Sequence, residues 1–188
     1  MKLVYDKSYW DQYYGASYEE TFRYGFNFKK VLDQCWTPVF GNTPPQSFAD
    51  IGCGPGQTLN EAEKLLGSKA RVYGVEVQDI PPERVVSDKI LFGDFLEIHD
   101  KLDPVDLLYV ACSMYVPWDE QEVFLKACLT LTKKACWFAN VYLTDRDGIP
   151  EDPHRVVIYK SRPQFAECLG SMGWKKYGVE HDFFYKKV

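Results

Sequence analysis

The segment Phe48-Ala49-Asp50-Ile51-Gly52-Cys53-Gly54-Pro55-Gly56-Gln57 constrains the fold of this chain more than any other stretch. An apolar run enters a cluster of three glycines and leaves it as a segment with helical spacing, Thr58 to Leu66. A second apolar run, Arg71 to Val77, carries an acid near its end, Glu76, twenty positions beyond Gly56. Strand, glycine turn, helix, strand and acid is the order in which α/β proteins grip a nucleoside. The glycines let the main chain pass close to a ligand, the helix start offers unpaired N–H groups, and the acid accepts hydrogen bonds from ribose hydroxyls.

The kind of nucleoside can be narrowed. A dinucleotide fingerprint has its third glycine where this chain has Gln57. Pro55 lacks an N–H and so removes one possible phosphate donor from the loop. Asp50 would repel a pyrophosphate but suits an ammonium group. These departures favour S-adenosylmethionine over a nicotinamide or flavin dinucleotide.

The rest of the chain alternates strand-like and helix-like segments. Strands are expected at Ser47 to Ile51, Arg71 to Val77, Ile90 to Gly93, Val105 to Ala111 and Ala135 to Tyr142. Helices are expected at Thr58 to Leu66, with Gly67 as a cap, and at Glu120 to Thr132, with Asp119 as N-cap. Gln78 to Asp88, which holds Pro81-Pro82, has room for only a short helix. Beyond a polar loop, Thr144 to His154, come an amphipathic helix, Arg162 to Met172, and a hairpin, Trp174 to Glu180 with Phe183 to Lys187. Nearly continuous apolar strands alternating with helices predict a doubly wound α/β domain. Its mostly parallel, seven-stranded sheet would be covered on both faces and end in the antiparallel hairpin. Ligands in such sheets sit beyond the strands' carboxyl ends, where Gly52 to Gly56, Glu76, Asp94 and Ser113 all fall.

From about Tyr9 to Val188 the chain resembles the class I S-adenosylmethionine-dependent methyltransferases. Asp50 to Gly56 and Glu76 carry most of the likeness. Gly93-Asp94-Phe95 is similar to the turn that holds adenine in that family, and Asp106 to Trp118 to the fourth strand and its active-site loop. The resemblance implies a methyltransferase with S-adenosylmethionine as cofactor, S-adenosylhomocysteine as product and no metal. It implies a cofactor site drawn from Asp50, Gly52, Cys53, Gly54, Gly56, Glu76, Val77, Asp94, Phe95 and Cys112. Phe95 either stacks on adenine or enters the core. Asp106 lies at the wrong end of its strand for chemistry and reads as structural.

The N-terminal 36 residues are rich in aromatic side chains, and the family's habit of closing an N-terminal helix over the cofactor makes Tyr14 a lid candidate. Their duller role is to anchor a helix, with Tyr18 to Trp36 having the spacing for one, against the α/β core of residues 47–188. Cys112 to Trp118 should line the transfer site, and it lacks the Asn-Pro-Pro-Tyr-like run of enzymes acting on nucleobase or glutamine amide nitrogens. Tyr115 there could orient an acceptor, and His154, the one histidine of the loop expected to overhang the pocket, could act as base.

At 188 residues the chain forms one domain able to bury a substantial core, and 46% hydrophobic with 26% charged residues is ordinary for a globular protein. A net charge of −5 speaks against general nucleic-acid binding, whose affinity comes from phosphate neutralisation. Six scattered cysteines with no CxxC pair argue against zinc and thiol-redox motifs and suit a reducing cytoplasm. No targeting or membrane-spanning run is visible. The expected acceptor is an O or N nucleophile of a small molecule. A protein or RNA acceptor, an NAD-dependent oxidoreductase and a non-catalytic nucleoside-binding subunit are the rival readings.

Overall fold

The computed structural model describes residues 39–78, 80–113, 116–139, 162–177 and 183–186. Five parallel strands form its centre: β1 (Ser47–Ile51), β2 (Arg71–Glu76), β3 (Ile90–Phe92), β4 (Val105–Val110) and β5 (Thr132–Phe138). β1 lies between β2 and β4, β3 joins the outer side of β2, and β5 joins β4. The order 3-2-1-4-5 reverses between β1 and β4, which opens a crevice beyond their carboxyl ends.

Every residue of β1 and of β4 is buried, which a strand achieves only when both faces of its sheet are covered. Alternation along the strands sends side chains to two cores. On one face Phe48, Val72, Leu107, Tyr109 and Ala135 pack with Leu59 and Ala62 of helix α1 (Gln57–Leu66). On the other, Ala49, Ile51, Val75, Leu108, Val110, Cys136 and Phe138 meet three helices. These are α2 (Phe95–Ile98), α3 (Gln121–Leu131) and α4 (Arg162–Ser171), which contribute Phe95, Phe124, Leu125, Cys128, Phe165 and Leu169. The α/β class with helices on both faces is therefore as expected. Two further strands, β6 (Trp174–Tyr177) and β7 (Phe183–Lys186), pair antiparallel with each other, and β7 pairs antiparallel with β5. Residues 178–182 between them lie outside the described residues.

Asp106 is structural. At the amino end of β4 its Oδ2 accepts from the Gln46 N–H at 2.7 Å, and its own N–H donates to Ser47 Oγ at 2.9 Å. The contacts tie β1 to β4 at the end away from the crevice.

Two local expectations are corrected and two are made specific. Asp119 does not cap a helix: Trp118–Glu120 is a 3-10 turn closed by the Glu120 N–H on Pro117 O at 2.9 Å, and α3 starts at Gln121 without a side-chain cap. The strand expected from Ala135 starts at Thr132, because the Thr132 hydroxyl bonds Cys128 O at 2.8 Å as the backbone turns extended. Helix and strand thus follow each other without a loop. The turn expected at Gly93-Asp94-Phe95 opens a four-residue helix, α2, too short to leave a periodic pattern. The expected short helix in Gln78 to Asp88 is a single 3-10 turn, Pro82–Arg84. The aromatic N-terminal segment and the loop Thr144 to His154 lie outside the described residues.

Candidate functional site

The glycine loop leaves β1 under tight steric control. Gly52 has φ 77°, and a Cβ there would stand 2.6 Å from the Cβ of Cys112, so a side chain is excluded by conformation and by space. Its N–H and that of Cys53 both donate to Val75 O, at 2.8 and 3.2 Å, which folds the loop over the end of β2. Gly56, at φ 95°, opens α1 where a Cβ would meet Ser87 at 2.7 Å. Pro55 O accepts from the Val86 N–H at 2.9 Å, and Asn60 Nδ2 donates to Val86 O at 2.7 Å. The segment after the 3-10 turn is thereby stapled to both loop and helix.

Glu76 completes the edge. It is 4% exposed, its Oε2 accepts from the Gly54 N–H at 2.8 Å, and its Oε1 accepts from the Gln78 N–H at 2.9 Å. Burial pushes its pKa up, and the N–H groups of Gln78, Gly54 and Val77 pull it back by favouring the charged form. The sequence set Glu76 opposite the glycines, and the structure joins them directly.

Asp50, 2% exposed on β1, is pushed up to about 8 by burial. A hydrogen bond with the Thr58 side chain opposes that shift, and the nearby Glu76 adds to it. Its Oδ1 has no hydrogen-bond partner among the described residues. Cys53 and Cys112 wall the loop: the Cys53 thiol contacts Gly54 O at 3.5 Å and the Cys112 thiol contacts Ile51 O at 3.1 Å. Burial raises both thiols, so they stay protonated and act as small apolar surfaces.

The third loop docks on the same edge through the Gly93 N–H, which donates to Glu76 O at 2.9 Å. Asp94 caps α2, its Oδ1 accepting from the Leu96 N–H at 2.9 Å. Of the two fates left open for Phe95, its ring takes the core: it is 6% exposed and meets Phe124 edge-on at 5.5 Å. Beyond β4, Ser113 is fully buried and Gln121 Nε2 donates to both Ser113 O and Val116 O. Tyr14, Tyr115 and His154 lie outside the described residues.

Five buried side-chain atoms lack a hydrogen-bond partner among the described residues: Asp50 Oδ1, Gln78 Nε2, Ser113 Oγ, Glu120 Oε2 and Gln121 Oε1. All five belong to segments at the carboxyl end of β1, β2 or β4, the rim that frames the crevice. Buried polar atoms are normally paired, so these five stand out as the unsatisfied groups of the described residues. Thr58, Gln78 and Gln121 were not foreseen. Thr58 had one available signal, a hydroxyl in the first helical turn after the glycines; the two glutamines had none.

No family model matches the chain, and no curated protein sequence matches it. Solved structures do. Magnesium protoporphyrin IX methyltransferase (ChlM) from Synechocystis PCC 6803, with bound SAH, aligns over 97% of this chain and 100% of its own at 14% identity, with a TM-score of 0.62. The chain has the methyltransferase fold. The plantazolicin methyltransferase BpumL in complex with SAH aligns over 89% of this chain and 70% of its own, at 16% identity and TM-score 0.62. A SAM-dependent methyltransferase from Archaeoglobus fulgidus aligns over 85% and 73%, at 17% and 0.56. Among the described residues of this methyltransferase-like chain, no group of His, Cys, Asp or Glu is placed to hold a metal ion. No helix among them is long and apolar enough to cross a membrane.

Proposed function

We propose that this chain is an S-adenosylmethionine-dependent methyltransferase that moves a methyl group to an O or N nucleophile, with a small molecule as acceptor. The observation that carries the reading is the contact of Glu76 with the Gly54 N–H at the switch point of a methyltransferase-like sheet. It sets an acid and a close-approach loop side by side, as an adenosine bearing an amino-acid tail requires. The chain's residues fit that ligand. The unpartnered Asp50 Oδ1 supplies an acceptor suited to an ammonium group.

In this reading Glu76 takes the ribose, Val77 and the Asp94-Phe95 turn flank adenine, and Gly52 to Gly56 pass along the amino-acid tail. Cys53 and Cys112 keep water from the loop floor, Tyr14 belongs to a lid, and Tyr115 and His154 face the acceptor. The seven-stranded sheet with its closing hairpin belongs to the same reading. When bound, S-adenosylmethionine would supply a sulfonium methyl for displacement by the acceptor's lone pair, with S-adenosylhomocysteine as the leaving group and the acceptor's proton passing to solvent. Positioning and exclusion of water then carry most of the rate gain. Two similar folds, named for magnesium protoporphyrin IX and for plantazolicin, support a small-molecule or peptide acceptor.

Thermal unfolding with S-adenosylmethionine, S-adenosylhomocysteine and NAD in parallel tests the reading. A ligand bound only by the native state adds about 2.7 kcal/mol at a hundredfold excess over Kd. The first two ligands should raise the transition, NAD should not, and Glu76→Ala should lose the rise. A response to NAD alone would sink the proposal.

A further inference from the structure

The two edges of the sheet are finished differently. β6 closes one edge and carries Lys175 and Lys176, and lysine on an edge strand discourages pairing with another chain. β3 closes the other with Ile90-Leu91-Phe92, of which Leu91 is 44% and Phe92 52% exposed. Val86, in the segment leading into β3, is 48% exposed. These are three of the five large exposed apolar side chains among the described residues. The main chain of β3 is open as well. Lys89 O accepts from the Gly74 N–H at 3.0 Å, and the Gly93 N–H donates to Glu76 O at 2.9 Å. Residues 89, 91 and 93 therefore aim their peptide groups at β2, and by alternation Ile90 and Phe92 aim theirs outward.

Two outward residues separated by one inward residue are complementary to themselves. An antiparallel copy of β3 sets Ile90 opposite the partner's Phe92, and Phe92 opposite the partner's Ile90. Each such pair exchanges two N–H···O bonds, and Leu91 faces the partner's Leu91 across the two-fold axis. Leu91 lies in register with Val75 of one core, and Ile90 packs toward the core under α1, so apolar meets apolar on both faces. The flanks agree in charge. Lys89 falls opposite the partner's Gly93, where no side chain competes, and beside the partner's Asp94. Asp88 Oδ1 holds the Lys89 ammonium at 3.4 Å, so the lysine stands between that acid and the partner's Asp94. We infer that β3 is the docking edge for a second copy of this chain, joining two sheets into one across a two-fold axis. The occupant is a copy because one register satisfies the hydrogen bonds, the apolar contacts and the charges together. A strand of three residues buries less than the roughly 1,200 Å² of a stable interface, so the dimer forms and dissociates with concentration. The inference goes beyond the methyltransferase reading and does not depend on it.

Sedimentation velocity over a concentration series reads the pairing, with thermal unfolding as the folding control. The unmodified protein should pass from monomer to dimer as concentration rises. Leu91→Lys sets two lysines face to face at the axis and should weaken the dimer by at least about tenfold, with its unfolding midpoint kept. Cysteine substitution reads the register and keeps the test decisive if the lysine variant misfolds. Leu91→Cys places two thiols on opposed residues whose Cα atoms lie roughly 4.5 Å apart, so oxidised glutathione should cross-link them. Phe92→Cys puts its two thiols out of register and should cross-link no more than the unmodified protein. A monomer at every concentration, a dimer that Leu91→Lys leaves intact, or equal cross-linking at both positions overturns the inference. None of these results bears on S-adenosylhomocysteine binding, which is measured separately.

Discussion

Asp50 is an acid inside a fully buried strand, and its consequence is a pH dependence of unusual sign. Its ordinary value of 3.8 applies in the unfolded chain, while burial raises it to about 8 in the fold. Between those limits the folded state keeps a proton that the unfolded state has lost, so stability falls as pH rises through the window and levels off above it. One such proton changes stability by about 1.4 kcal/mol per pH unit. Denaturant midpoints should therefore drop from about pH 5 to about pH 7.5, and Asp50→Asn should flatten the slope. Some slope remains in the variant, because burial also raises Glu76. A midpoint that climbs with pH in the unmodified protein would show that Asp50 is ionised in the fold.

At the scale of elements, α1 is a helix held by few contacts. Its buried residues are Leu59 and Ala62, and Leu59 also fills the space beside Gly74, where a Cβ would meet it at 2.9 Å. Leu59→Ala should cost about 2–5 kcal/mol, read from chemical denaturation. It should weaken S-adenosylhomocysteine more than an equally buried cut in α3, such as Leu125→Ala, because α1 carries the glycine loop at its start. Elements that were legible in the sequence share one property: apolar runs longer than their own period, as in β1, β2 and β4. α2 has four residues and offers no period to read. The start of β5 was hidden because Lys133 and Lys134 are exposed strand residues that imitate a loop. The two glutamines of the rim were invisible for another reason: a glutamine has no pattern, and its meaning lies wholly in what its amide touches.

Across the whole molecule the sheet has two unlike ends. The amino end is closed by satisfied contacts, such as Asp106 with Gln46 and Ser47, and the carboxyl end collects the unpaired polar atoms. Asp106→Ala leaves the Gln46 N–H without its acceptor and should cost about 1–3 kcal/mol. It should leave S-adenosylhomocysteine affinity unchanged once measured below the unfolding transition. A matched loss of affinity would mean that the two ends are mechanically coupled. That division was partly readable in advance, since the glycines, Glu76, Asp94 and Ser113 fell at one end of the expected strands while Asp106 fell at the other.

The passage from α3 into β5 has no slack, since Thr132 both finishes the helix and begins the strand. A helix welded to its successor cannot slide to suit a bulkier guest. Whatever adjustment the sheet's carboxyl end makes therefore falls to the start of that helix, where Gln121 grips the carbonyls of Ser113 and Val116.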